Sequence, residues 1–191
     1  MVKENVIIAA GRLTEQKNME LLIRAFAEIV RTESGNTQNS NSIKKAGNNE
    51  YILKIFGKGE EKEKLEVLVE ELNIKDRCFL MGFTDELQEE MLKSNIYVSP
   101  SNWEGISNSL MEAMACGCGC IATDCPMGGS AMLIKNGKNG ILLPVDDLEK
   151  MTAALHYMME KNDERKSMQM EAEKICEICS IEKIASSWLE Q

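Results

Sequence analysis

Short apolar runs alternate along this chain with longer segments in which apolar residues recur every three to four positions. That alternation is the pattern of βαβ units built around a parallel sheet. The short runs predict strands at 6–10, 51–56, 78–81, 96–99, 120–123 and 140–143, and the periodic segments predict helices at 19–31, 62–72, 85–93 and 109–115. On the first helix Leu22, Ala25, Phe26, Ile29 and Val30 share one face, and Asn18 stands where an N-cap belongs. On the second, Leu65, Leu68, Val69 and Leu72 are in register. From Leu148 the pattern is helical to the end, broken near Asn162 and near Ser180, and no internal repeat is present. The expected fold class is α/β, a Rossmann-like parallel sheet of about six strands flanked by helices.

Residues 34–49, rich in Asn, Ser, Gly and Lys, have no apolar period and bury too little surface to offset their ordering entropy, so they are expected to form a mobile surface loop. The length of 191 residues suits one well-buried core, and 1–191 is expected to be a single domain. The net charge of −9 sets the average field against phosphate backbones and anionic membrane surfaces, which argues against nucleic acid as a partner. A small phosphate ligand remains compatible, because a few cations gathered at one mouth outweigh net charge at contact distance.

Seven cysteines lie mostly in apolar or Gly-rich settings without a disulfide-framework spacing, which reads as reduced and cytoplasmic. The run Cys116-Gly117-Cys118-Gly119-Cys120 invites a metal assignment, but the only histidine, His156, is distant in a helical segment, and small residues in a helix-to-strand turn account for the run. No stretch approaches the roughly 20 apolar residues of a membrane span. The chain enters its first core strand almost at once, so it is expected to be one part of a larger protein, cut at a domain boundary.

In an open parallel sheet, ligands bind outside the carboxyl ends of the strands. Here five predicted strands end in Gly-bearing polar loops: 11–18, 57–59, 82–83, 100–105 and 124–129. Glycine at such an edge lets backbone approach a ligand, although turns of this kind also use glycine for purely local reasons. Gly57-Lys58-Gly59 completes neither a dinucleotide fingerprint nor a P-loop, which argues against an NAD dehydrogenase and a P-loop ATPase. Arg12 and Lys17, on the loop before the first helix, are placed to clamp a diphosphate. Glu104 and Glu112 flank a loop that enters a helix, where both carboxylates can accept hydrogen bonds from sugar hydroxyls. For Glu112 the spacing equally fits a capping box over 109–112, in which it would bond only backbone amides.

The string Ser99-Pro100-Ser101-Asn102-Trp103-Glu104-Gly105-Ile106-Ser107-Asn108-Ser109-Leu110-Met111-Glu112 resembles the two-glutamate signature of the group 1 glycosyltransferases, retaining enzymes of GT-B fold. Gly11-Arg12 with Lys17-Asn18, Gly57-Lys58-Gly59 and Gly137-Lys138-Asn139-Gly140 are similar to further blocks of that family in the same order. The resemblance covers nearly the whole chain and implies the carboxyl-terminal, donor-binding half of a GT-B fold, with the acceptor domain absent. It implies that Arg12 and Lys17 bind the donor diphosphate, Glu112 the ribose and Glu104 the sugar. Backbone around Gly82 and Phe83 would meet the base, and amides near Gly105, Ile106, Ser107, Asn108 and Ser109 the phosphate or sugar; Gly11, Gly57 and Gly59 belong to the same binding set.

The implied function is transfer of a sugar from a nucleotide-sugar, of UDP type, to a saccharide or lipid-linked acceptor in polysaccharide assembly. No cofactor is expected, because fixed cations aimed at the leaving diphosphate replace a metal. The expected partners are the nucleotide-sugar and the missing amino-terminal acceptor domain. The expected location is the cytoplasm, including the inner face of the membrane, with any peripheral membrane association left to the missing domain. Two other classes share the donor-binding half: a sugar-nucleotide epimerase, which needs acid–base groups that the strand ends lack, and a non-catalytic binding domain, which has no reason to keep both cations and both glutamates. Two positions depart from the family pattern: Gly119, often Pro, expected only to loosen a turn, and Met132, often Glu, which puts a sugar contact in doubt.

Overall fold

A computed structural model describes residues 3–36 and 50–179. Six strands, β1 (Glu4–Ala10), β2 (Ile52–Phe56), β3 (Cys78–Gly82), β4 (Ser94–Ser99), β5 (Gly119–Thr123) and β6 (Ile141–Leu143), form one all-parallel sheet in the order β3-β2-β1-β4-β5-β6. The helices are α1 (Met19–Asn36), α2 (Lys62–Glu71), α3 (Leu87–Lys93), α4 (Asn108–Ala115), α5 (Gly129–Leu133), α6 (Leu148–Glu160), α7 (Asn162–Ala172) and α8 (Ile175–Ile178), and a 3-10 turn spans Glu15–Lys17.

Successive strand residues enter opposite cores. Ile7 and Ala9 of β1, Ile96 and Val98 of β4 and Ile121 of β5 pack with Phe26, Leu22, Leu65 and Leu155 on the face of α1, α2 and α6. Ile8, Ala10, Tyr97, Cys120 and Ala122 pack with Met91, Leu110 and Met114 on the face of α3 and α4. Helices on both faces bury every position of β4 and β5, whereas β3, at the edge, exposes Phe79 and Met81 between the more covered Cys78, Leu80 and Gly82.

Some boundaries differ from the sequence reading. Residues 34–36 extend α1 and are not loop, and 37–49 lie outside the described residues, as does the break expected at Ser180. The short helix α5 and the 3-10 turn have too few residues to show a period. Asn18 does cap α1: its Oδ1 accepts from Leu21 N at 3.2 Å, in a left-handed backbone conformation that asparagine tolerates.

Two cations, Lys3 half-buried and Arg165 buried, stitch helix ends to the sheet. Lys3 Nζ lies among the carbonyl oxygens of Met91 (3.2 Å), Leu92 (3.1 Å), Ser94 (2.9 Å) and Cys116 (2.9 Å), so one ammonium serves the carboxyl ends of α3 and α4. Arg165, 4% exposed, donates to Tyr51 Oη at 2.9 Å, to Asn162 Oδ1 at 2.6 Å and to the Met158 carbonyl at the end of α6. Its stem explains Gly119, whose departure from the family residue is therefore more than a looser turn: a Cβ there stands 2.9 Å from Arg165 Cγ. Because the guanidinium is anchored, that stem cannot retreat freely. Gly119→Ala is expected to destabilise the fold by about 1–3 kcal/mol through overpacking, and by clearly less in an Arg165→Ala background. Urea denaturation of the two single variants and the double variant checks this, and equal losses in both backgrounds would refute the contact as the cause.

Candidate functional site

The strand order reverses between β1 and β4, and there the loops that leave these two strands diverge. They are zipped together by four hydrogen bonds. Asn102 N donates to Gln16 O (2.8 Å), Asn102 Nδ2 to Glu15 O (2.9 Å), Asn18 Nδ2 to Asn102 Oδ1 (2.9 Å) and Gln16 Nε2 to Trp103 O (3.0 Å). The Lys17 ammonium closes the seam on the Glu104 carboxylate, with the two side chains only 13% and 15% exposed. Ser101 Oγ adds a 3.5 Å contact to the same carboxylate oxygen. The lysine stem reaches across Gly11, where a Cβ would stand 3.0 Å from Lys17 Cε.

The loops after β1, β2 and β3 are stacked by backbone bonds: Gly11 N to Phe56 O (3.0 Å), Leu13 N to Lys58 O (2.9 Å) and Gly57 N to Gly82 O (2.8 Å). A Cβ at Gly57 would lie 1.8 Å from Gly11 O, and one at Gly59 2.2 Å from Leu13 O. Both glycines are thus required by loop-on-loop contact, whatever binds above them. Gly82 and Gly105, by contrast, face open space.

Between these loops and α3 lies a cleft of about 340 Å³, lined by Ala10, Gly11, Arg12, Phe56, Gly57, Lys58, Phe83, Thr84, Leu87 and Ser109. Its interior is apolar, and its charged lining residues are the cations Arg12 and Lys58, with no acid among them. In a chain with 31 acidic and 22 basic side chains, that is a local inversion of sign. Arg12 donates to Gln16 Oε1 at 3.0 Å, which ties it to the zipped seam.

Helix α4 begins one step earlier than its sequence pattern suggests. Ser107 is the N-cap, its Oγ accepting from Leu110 N at 3.4 Å and contacting Ser109 Oγ at 3.2 Å. The phenol of Tyr97, wholly buried and pushed well above its usual pKa by that burial, donates to Ser109 Oγ at 2.8 Å. With the cap at Ser107, Glu112 falls in the second turn, so the capping box over 109–112 does not form. No hydrogen bond or ion pair holds the half-buried Glu112 carboxylate among the described residues.

Of the residues singled out from sequence, Gly11, Arg12, Gly57, Phe83 and Ser109 line the cleft, and Lys17 and Glu104 form the adjoining ion pair. Ile106, Ser107, Asn108 and Glu112 belong to the entry and first turns of α4, Gly82 and Gly105 face open space nearby, and Gly59 is engaged by Leu13. Sequence reasoning missed Lys58, Thr84 and Leu87 as cleft residues, although Lys58 stands between two glycines it had marked. The loop after β5 seats on the β4 loop, where a Cβ at Gly129 would lie 1.9 Å from Gly105 O, and Met132 on α5 is 72% exposed.

The cysteine run is core material: Cys118 and Cys120 are buried, and burial pushes the Cys118 thiol up to about 12. Among the described residues no group of three or more His, Cys, Asp or Glu suits a metal ion, and no helix is long and apolar enough to cross a membrane. His156 lies on α6, 3.3 Å from Glu160.

Residues 2–175 match the family model described as glycosyl transferases group 1, and the chain belongs to that family. It is 31% identical over 171 residues to the N-acetylgalactosamine-N,N'-diacetylbacillosaminyl-diphospho-undecaprenol 4-alpha-N-acetylgalactosaminyltransferase of Campylobacter jejuni, covering 90% of this chain and 42% of that one. It is 28% identical over 181 residues to the poly(glycerol-phosphate) alpha-glucosyltransferase of Bacillus subtilis, covering 95% of this chain and 24% of that one. The chain therefore spans less than half the length of these relatives. A variant of S. aureus TarM, in complex with Fondaparinux, alpha-GlcNAc-glycerol and UDP, superposes with a TM-score of 0.84 over 100% of this chain and 36% of its own, at 24% identity. The sheet and its helices are one half of a GT-B fold.

The position of the α4 cap separates two neighbouring residues energetically. Ser107→Ala is expected to lose about 1 kcal/mol of stability, whereas Glu112→Ala stays within about 0.5 kcal/mol of the parent. Urea unfolding of both variants checks this, and a loss at Glu112 as large as that at Ser107 would restore the capping role.

Proposed function

We propose that this chain is the donor-binding half of a retaining glycosyltransferase that moves a sugar from a UDP-sugar to a saccharide or lipid-linked acceptor in polysaccharide assembly. The observation that carries the reading is the cationic cleft at the strand-order reversal, with the Lys17–Glu104 pair beside it. Arg12 at the mouth and Lys17 along Gly11 meet the diphosphate, Glu104 the sugar and Glu112 the ribose, while backbone at Gly82 and Phe83 meets the base. Glu104 reaches the sugar already oriented by Lys17 and Ser101, so little ordering is left for the moment of binding.

Breaking the sugar–phosphate bond places developing charge on the leaving diphosphate. Fixed cations stabilise that charge more than they stabilise the ground state, and each such donor is typically worth about 3–4 kcal/mol. The pairing of Lys17 with Glu104 also keeps a largely covered ammonium compatible with the pocket, because a charge taken from water without a partner is costly. Epimerase chemistry would draw on proton-transfer groups at this edge, and His156 sits instead on the exposed side of α6. We place the protein in the cytoplasm, with a separate acceptor domain completing the cleft.

Donor binding predicts that UDP stabilises the domain: a ligand at 100 times its dissociation constant adds about 2.7 kcal/mol, which raises Tm by several degrees. Arg12→Ala and Glu112→Ala are expected to bind more weakly while unfolding as the parent does. A thermal-shift panel of UDP-, GDP- and ADP-sugars gives the test, and no shift with any nucleotide at millimolar levels sinks the reading.

A GT-B enzyme reacts in the cleft between two domains, where closure aligns the acceptor and excludes water. Alignment of a reacting hydroxyl is worth about 7–11 kcal/mol of barrier. The isolated chain is therefore expected to bind UDP-sugar without turning it over. UDP release followed in the presence of candidate acceptors checks this, and turnover at about 1 per second or faster would mean that these residues hold a complete active site.

A further inference from the structure

Lys58 is the cleft cation to which the family resemblance assigns no role. Its backbone is pinned on both sides: Gly57 and Gly59 are wedged against the carbonyls of Gly11 and Leu13, and Lys58 O accepts from Leu13 N at 2.9 Å. A residue held in this way projects its side chain from a fixed root, and the cleft mouth is where Lys58 goes. Its Nζ lies over the ring of Phe83, 5.3 Å from the centroid. Phe83 itself is 63% exposed, on a protein of net charge −9. Lys58 pairs with no carboxylate among the described residues, and neither does Arg12 on the adjoining loop.

Two unpaired cations at the mouth of an apolar slot, one resting on an exposed aromatic ring, suit a ligand that is flat and apolar at one end and anionic at the other. We infer that Lys58 and Phe83 act as a specificity pair in the donor cleft, an inference that rests on the donor-binding reading above. The Phe83 ring stacks on the nucleobase, and the Lys58 ammonium, held only by a weak cation–π contact, turns to the phosphate joined to the ribose. Arg12 meets the same diphosphate from the β1 side. Lys58 thereby selects a phosphorylated nucleoside over the bare nucleoside, and Phe83 selects for an aromatic base regardless of phosphate.

Calorimetric titration of the wild-type chain, Lys58→Met, Lys58→Arg and Phe83→Leu with uridine, UMP and UDP tests the assignment. Lys58→Met is expected to lose about tenfold in affinity for UMP and UDP, the size of one charge-assisted contact at a partly exposed site, and to leave uridine unchanged. Its UDP affinity also becomes less sensitive to salt, and Lys58→Arg recovers most of the loss. Phe83→Leu is expected to weaken all three ligands. If Lys58→Met binds UDP as tightly as the wild type, or weakens uridine as much as UDP, Lys58 is not a phosphate contact and the inference falls alone. A wild-type chain that binds none of the three overturns the donor reading as well, so the two failures are told apart by the wild-type titration.

Discussion

An all-parallel sheet must return every connection across one of its faces, so each strand ends at the same edge and each helix packs on a face. In this chain the connections that leave β1 and β4 run to opposite faces of the sheet, through α1 on one and α4 on the other, so the loops that begin them part at the strand-order reversal. The zipper of Asn102, Asn18 and Gln16, closed by Lys17 on Glu104, is what holds that gap to one shape. The remaining features of the site are referred to this seam: Arg12 is oriented through Gln16, and the Lys17 stem lies along Gly11, which lines the cleft.

Electrostatically the edge works against the rest of the molecule. A net charge of −9 repels anions at a distance, yet the cleft lining carries Arg12 and Lys58 and no acid. At contact distance the local pair dominates, because screening removes the more remote charges within about 8–10 Å. Of the two signature acids, Glu104 is paired with Lys17 beside the cleft and Glu112 lies in the second turn of α4, so neither lines it.

Cations recur away from the site with a different task. Lys3 and Arg165 neutralise helix carboxyl ends, where several carbonyls would otherwise be left without partners. Lys3 grips α3 and α4, the helices that carry Leu87 and Ser109 into the cleft wall. Stability and site geometry are linked through these helix ends.

The six strands and the long helices were legible in the chain because burial on one face or two imposes a period, and period survives in sequence. The chemistry-bearing loops were legible too, since polar residues after each strand have one edge to occupy. Other features depended on residues distant in sequence. The pairing of Lys17 with Glu104 joins positions 87 apart, the room made by Gly119 is for Arg165, and the tight fit of Gly57 is against Gly11. The spacing left open whether Glu112 serves a capping box over 109–112, and the cap at Ser107 removes it from that backbone duty. Lys58 had no role of its own in the Gly57-Lys58-Gly59 block until the fold brought Phe83 beneath its ammonium. Sequence by itself determined the elements and the edge on which polar groups gather, because those follow from local periodicity. Which of those groups touch, and which are left free for a ligand, was decided only when the sheet order brought separate loops within contact distance.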